Sequence, residues 1–251
     1  MNNKEYYLFN NDEEFKLLVG DSQSYQTMQN TISKLVGFVK PNYMIEFGSG
    51  SGSTSLRLAK ENPRTSIVAV DVREKLIQQN IKKNRARNVT FVSGDLTKLD
   101  NFNLKNCNLV LLMYSFKYIQ DPDDNKFNFL SNLYKKMQKG AYLIIGDTFT
   151  ENDATAEQVK KQFEDIYYNS SKDAFWNYLQ GLSDAQVKEA LDLQNKTREK
   201  TKLQVELAYK RDGVYPVSRK WMFNAIEQIG FKIVLGERTD NLNDTIFVLQ
   251  K

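Results

Sequence analysis

The stretch Tyr43-Met44-Ile45-Glu46-Phe47-Gly48-Ser49-Gly50-Ser51-Gly52-Ser53 sets a short apolar run against a glycine-rich turn. The run Tyr43 to Phe47 reads as a strand, and Ser51 to Lys60 reads as a helix. Glycines between a strand and a helix let the backbone turn tightly and approach a ligand without Cβ clashes. A dinucleotide-binding turn has the form G-x-G-x-x-G. Here the third glycine comes one residue early, as G-x-G-x-G. Glu46 also stands two residues before the first glycine. Its carboxylate would repel a pyrophosphate but favour a ligand that carries an ammonium group.

Outward from this turn, strands and helices alternate. Ser22 to Lys40 reads as a helix with Tyr25, Met28, Ile32, Leu35 and Val36 on one face. Strand-like runs follow at Ser66 to Asp71, Val89 to Val92, Asn108 to Met113 and Tyr142 to Gly146. Helical runs lie between them at Arg73 to Arg85 and at Asn125 to Met137, the latter ended by Gly140. The four prolines fall outside these periodic segments. Alternation of this kind predicts an α/β fold, a parallel sheet with helices on both faces.

The alternation then stops. Thr148 to Tyr215 is mostly polar and reads as helical, with capping boxes at Thr155/Gln158 and Ser183/Gln186. Ser218 is placed to cap a helix from Arg219 to Ile229, which Gly230 ends. Phe231 to Leu235 and Thr245 to Leu249 then read as an antiparallel hairpin that closes the sheet. The expected organisation is a core at 1–147, a helical lid insert at 148–217 after the fifth strand, and a return to the core at 218–251. The insert follows a strand, so it is expected over the same sheet edge as the glycine turn. Its aromatics Phe163, Tyr167, Tyr168, Phe175, Trp176 and Tyr178 fit either an acceptor pocket or the insert's own core.

Composition removes several chemistries. The 251 residues contain no histidine and one cysteine, Cys107. Ser-His and Cys-His nucleophile systems, His-ligated metals and internal disulfides are therefore excluded. Cys107 precedes a strand and is expected to be buried rather than reactive. A net charge of +4 permits an anionic partner without requiring one. No apolar run approaches the roughly 20 residues that span a bilayer. The N-terminus lacks a basic region followed by an apolar one, so a cytoplasmic protein without membrane partners is expected.

Two further acids sit at strand ends. Asp71 closes Val68-Ala69-Val70, roughly 20 residues after the glycines, where an acid can take both hydroxyls of a ribose. Asp95, in Gly94-Asp95-Leu96 after the third strand, can accept from an adenine amino group while Val72 and Leu96 cover the ring. In an open parallel sheet this C-terminal edge is the ligand crevice.

Together, Ile45 to Gly52, Ala69-Val70-Asp71-Val72, Val92 to Leu96, Leu109 to Tyr118 and Leu133 to Asp147 resemble the class I S-adenosylmethionine-dependent methyltransferases. The resemblance covers Ser22 to about Asp147, with a return at Ser218 to Gln250. It implies a Rossmann-like, seven-stranded, mostly parallel sheet whose last strand is antiparallel. The implied cofactor is S-adenosylmethionine, leaving as S-adenosylhomocysteine, with no metal. Glu46 and Gly48 would line its methionine part, joined by Ser49, Gly50 and Gly52. Asp71 would hold the ribose and Asp95 the adenine, and Met113 joins this cofactor-binding set.

Methyl transfer from a sulfonium is an in-line displacement, helped mainly by alignment and exclusion of water. The acceptor is expected beyond the fourth strand, near Tyr114, Ser115, Lys117 and Tyr118. The alternative there is that Phe116 and Tyr118 are core and Lys117 is solvated. Tyr25 is expected either to touch the methionine carboxylate or the acceptor, or to pack in the core. The leading reading is a small-molecule methyltransferase. Ser24-Tyr25-Gln26-Thr27, Met113 to Tyr118 and Tyr209-Lys210-Arg211 also resemble carboxy-S-adenosylmethionine synthase, in which Arg211 would hold a carboxylate. An RNA methyltransferase is less favoured, because Glu199 and Glu206 interrupt the basic run from Lys196 to Arg211. A non-catalytic, cofactor-binding scaffold is a further alternative.

Overall fold

The computed structural model describes residues 23–119, 124–150, 179–180, 182–192, 217–239 and 244–251. The described elements run in chain order as α1 (Gln23–Val39), β1 (Tyr43–Phe47), α2 (Ser53–Glu61), β2 (Ser66–Asp71), α3 (Glu74–Lys83) and β3 (Val89–Ser93). They continue as β4 (Leu109–Met113), α4 (Asn125–Lys136), β5 (Tyr142–Thr148), α5 (Arg219–Ile229), β6 (Lys232–Arg238) and β7 (Asp244–Gln250). The seven strands form one sheet in the order β3-β2-β1-β4-β5-β7-β6. The pairs from β3 through β5 are parallel, and β7 runs antiparallel to both β5 and β6. This is the expected Rossmann-like, mostly parallel architecture.

Alternation along each strand divides the core in two. Met44, Ile67, Ala69, Leu109, Leu111 and Ile144 face Tyr25, Met28, Ile32 and Val36 of α1, Leu58 of α2 and Ile77 of α3. Ile45, Phe47, Val110, Leu112, Leu143 and Ile145 face Leu130 and Leu133 of α4 and Met222 and Ile226 of α5. Burial on both faces explains why β1 and β4 read as continuous apolar runs. Gly146 lets α1 lie close to β5, since a Cβ there would sit 2.5 Å from the Met28 sulfur.

Several local expectations hold and a few shift. Ser218 accepts from Trp221 N–H, and Gly230 caps α5 with φ 96°. Gln186 reaches back to Ser183 N–H at 3.0 Å, one half of the expected capping box, while Ser183 Oγ donates to the same amide oxygen at 2.7 Å, at the start of a helix over 184–192. Gly140 does not end α4. Met137 caps it, and Gly140 instead turns the chain into β5 with φ 81°, donating its N–H to Lys251 O. β5 runs two residues beyond its expected end, through Thr148.

The described residues on either side of 151–216 meet. Thr150 pairs with Ser218, its N–H donating to Val217 O at 3.1 Å while Arg219 N–H donates to Thr150 O at 2.8 Å. The Thr155/Gln158 capping box, the aromatics from Phe163 to Tyr178 and Arg211 lie outside the described residues. Among the described residues no helix is long and apolar enough to cross a membrane.

Phe247 ties β7 to the rest of the core. It is fully buried and meets Phe149 and Phe223 edge-on, at 5.1 and 5.2 Å between ring centroids. Phe247→Ala is expected to destabilise the fold by about 3–5 kcal/mol. Urea unfolding should show this as a lower midpoint with an unchanged slope.

Candidate cofactor and acceptor site

The strand order reverses between β1 and β4, so the crevice lies where those two strands end. Their ends are tied directly. Ser115 Oγ donates to Phe47 O at 2.7 Å. Gly48 follows Phe47 with φ 77°, and a Cβ on it would lie 2.3 Å from Ser115 Cβ. Only glycine meets both conditions. Gly48 and Ser49 then donate their N–H groups to Val70 O at 2.8 and 2.9 Å, which swings the turn over the end of β2.

The predicted acids converge on this turn. Asp71 Oδ2 accepts from Gly50 N–H at 2.7 Å. Its Oδ1 accepts from Arg73 N–H at 2.9 Å and from Arg73 Nε at 3.2 Å. Glu46 is buried beneath the turn and accepts from Ser55 Oγ on α2. Asp95 stands farther along the edge, half-buried, its Oδ1 taking the N–H and hydroxyl of Thr97 at 2.8 and 2.7 Å. Val72 is 46% exposed, an open apolar surface next to Asp71. Leu96 is half-buried against the core.

The turn has the features of a ligand cradle. Ser49 is buried, yet its Oγ has no hydrogen-bond partner. A buried, unpaired hydroxyl costs about 1–3 kcal/mol unless a ligand meets it. Together with the Gly48 turn and the two acids, it fits the amino-acid and ribose parts of S-adenosylmethionine.

A second cluster extends the site beyond β4. Tyr114 takes φ 53°, a left-handed conformation that costs a non-glycine residue roughly 1–2 kcal/mol. Three contacts hold it there. Its N–H donates to Gly146 O at 2.7 Å, its hydroxyl donates to Asp244, and its ring stacks on Tyr25 at 5.9 Å. Asp244 also accepts from Thr148 Oγ1 at 2.8 Å. Tyr25 is buried and its hydroxyl lies 3.2 Å from Thr54 Oγ1, which donates to Met113 Sδ at 3.3 Å. Gln29 donates to both Ser53 and Thr54, so α1 is fastened to the start of α2.

Lys117 departs from the solvated alternative. It is 5% exposed and its Nζ meets Asp147 Oδ1 at 2.8 Å, while its N–H donates to Asp147 Oδ2 at 3.0 Å. Its ammonium lies 4.6 Å from the Tyr114 ring centre and 5.5 Å from that of Tyr118. Phe116 is core and Tyr118 is half-buried. Lys117 thus braces the wall of the crevice from within. Cys107 is buried, and loss of water pushes its thiol up to about 12, so it is inert at neutral pH.

Comparison with known proteins bears on this geometry. The profile of a family described as a methyltransferase domain matches residues 40–206, more than half of the chain. The chain belongs to the methyltransferase-domain family. A carboxy-S-adenosyl-L-methionine synthase from Nautilia profundicola is 25% identical over 154 residues, covering 59% of this chain and 60% of that protein. The chain therefore spans less than two thirds of that relative's length. Among solved structures, an O-methyltransferase family protein from Burkholderia thailandensis superposes with a TM-score of 0.60 at 14% identity, over 95% of this chain and 59% of the other. Human N-acetylserotonin methyltransferase in complex with S-adenosylmethionine superposes with a TM-score of 0.53 at 14% identity, over 89% and 51%. These two structures speak to the shared fold.

Several residues of this methyltransferase domain escape sequence reasoning. Asn80 is buried on α3 and donates to Gly50 O at 2.9 Å, fixing the turn from below. Ser55 and Arg73 enter through their contacts with Glu46 and Asp71. Asp147, at the end of β5, could have been found by the strand-end rule that selects Asp71 and Asp95.

Burial pushes Glu46 from 4.5 to about 7, with the Ser55 hydrogen bond opposing the shift and the negative Asp71 adding to it. The folded protein therefore holds a proton on Glu46 between about pH 4.5 and 7 that the unfolded chain releases. The stability this contributes is fully present below 4.5 and is lost as pH rises through about 7. Its size is about 3 kcal/mol. Glu46→Gln is expected to flatten this part of the stability profile and to be more stable than the native protein at pH 8. Urea titrations across pH 4.5–8 check this; an unchanged profile would contradict the assignment.

Proposed function

We propose that this chain binds S-adenosylmethionine at the β1/β4 edge and transfers its methyl group to a small-molecule acceptor. The observation that carries this reading is Glu46. It is a carboxyl buried beneath the glycine turn, its hydrogen bond comes from neutral Ser55, and its charged neighbour Asp71 is another anion. Such a group favours a cationic ligand over a phosphate. The ammonium of the methionine part answers it.

In this reading Glu46, Gly48, Ser49, Gly50 and Gly52 hold the amino-acid end, with Met113 beside them. Asp71 takes the ribose, Asp95 the adenine amino group, and Val72 and Leu96 the faces of the ring. When bound, the cofactor supplies a methyl group on a positively charged sulfur. The residues of this chain orient the reactants and exclude water, and an acceptor that carries a proton passes it to solvent or to a carboxylate, Lys or Tyr of this chain as the methyl group arrives. Tyr25, Tyr114 and Tyr118 form the acceptor wall, and Lys117 with Asp147 keeps that wall in place.

A second reading is favoured by the likeness to carboxy-S-adenosyl-L-methionine synthase. The cofactor would then be carboxylated rather than spent as a methyl donor, and Arg211 would hold the carboxylate.

Calorimetry with S-adenosylmethionine and S-adenosylhomocysteine tests the binding step. The native protein should bind both, and Glu46→Ala should lose at least about tenfold in affinity, equal to about 1.4 kcal/mol. No heat with either ligand in folded protein would overturn the proposal. Release of labelled methyl into a metabolite extract, and not into tRNA, is expected. Transfer to tRNA alone would overturn the small-molecule assignment, and binding without any transfer would favour a scaffold.

A further inference from the structure

Arg73 holds the carboxylate that the ribose needs. Its guanidinium Nε lies 3.2 Å from Asp71 Oδ1, and its own N–H lies 2.9 Å from the same oxygen. Gly50 N–H occupies the other oxygen at 2.7 Å. The guanidinium also reaches over the turn, because a Cβ on Gly50 would lie 3.4 Å from Arg73 Nη2. The Asp71 side chain is 5% exposed and that of Arg73 22% exposed. Screening of the pair is therefore partial.

A ribose offers two hydroxyl donors, and a carboxylate receives both best with its two oxygens in the open. The backbone donors of Gly50 and Arg73 can stay, since each carboxylate oxygen has a second lone pair. The Arg73 side chain occupies that second position on Oδ1. It is also the only one of these three donors that can swing away without moving the main chain.

We propose that Arg73 is a competing latch on the nucleoside half of the site, setting ligand affinity by occupying Asp71 until ribose hydroxyls displace it. The inference rests on the reading of Asp71 as the ribose acceptor. It differs from a direct ligand contact in sign: removal of Arg73 strengthens binding instead of weakening it. It also makes the strength of binding depend on both hydroxyls, because a single neutral donor competes poorly with a charged guanidinium N–H.

The test is calorimetric titration with S-adenosylhomocysteine at low salt. Arg73→Gln should bind about two- to fivefold more tightly than the native protein, a range set by a partly exposed ion pair. The gain should shrink for the 2′-deoxy analogue of the ligand, which a general loosening of the turn would not cause. Arg73→Lys, which keeps the charge without the fork, should fall between, and it guards against a misfolded glutamine variant. With the native protein, raising salt should tighten binding of the neutral 5′-methylthioadenosine by screening the Arg73–Asp71 pair. Equal or weaker binding by both variants, or a gain equal for the ribose and deoxy ligands, overturns the latch. Native protein that binds no S-adenosylhomocysteine overturns the underlying reading, whereas native binding without the gain overturns the latch alone.

Discussion

The crevice depends on one close approach, between Gly48 at the end of β1 and Ser115 just past the end of β4. The two strands are neighbours, yet the chain reaches them from opposite directions around the sheet. Ser115 Oγ bonds to Phe47 O, and the turn bends away under it with a positive φ. A side chain at Gly48 would separate the strand ends. Because the turn is forced into this shape, its next two N–H groups meet Val70 O, and Gly50 N–H is delivered to Asp71. Asn80 secures it from α3 and Tyr25 and Gln29 fasten α1 to the helix that follows. Each site feature therefore inherits its place from a packing constraint in the sheet.

Buried charge lines the crevice at both ends. Glu46 and Asp71 lie side by side at its floor, one held partly neutral by burial and the other satisfied by backbone and Arg73. At the far end Lys117 and Asp147 compensate one another in the interior, where breaking either partner would leave a buried charge. Tyr114 sits between these regions in a strained conformation kept by Gly146, Asp244 and Tyr25. Strain of this kind persists only where surrounding contacts over-determine it. Here those contacts come from β5, β7 and α1.

The central strands β1, β4 and β5 were legible in the sequence because they are buried on both faces. Tyr43–Phe47 and Ser66–Asp71 carry enough apolar residues to be read without their partners. The antiparallel β7 was legible because only a short polar segment separates it from β6. The acids at strand ends followed from topology alone. What stayed hidden were side-chain pairings between elements distant in the chain. Lys117 in isolation resembles a surface lysine, and only the folded sheet brings Asp147 against it. Tyr114 and Asp244 lie 130 residues apart. Gly140 misled because a glycine just past a helix commonly caps it, whereas here the left-handed residue serves the pairing with Lys251. Arg73 carries no sequence signal, since its role depends on where its side chain folds back.

The central claim is that the glycine turn and the strand-end acids hold S-adenosylmethionine or its product. Hydrogen–deuterium exchange with and without saturating S-adenosylhomocysteine tests it most directly. The account predicts slowed exchange in peptides covering 46–55, 71–73 and 94–97, with smaller changes in the distant strands β6 and β7. Unchanged exchange in all three segments, or slowing confined to other parts of the chain, would contradict it.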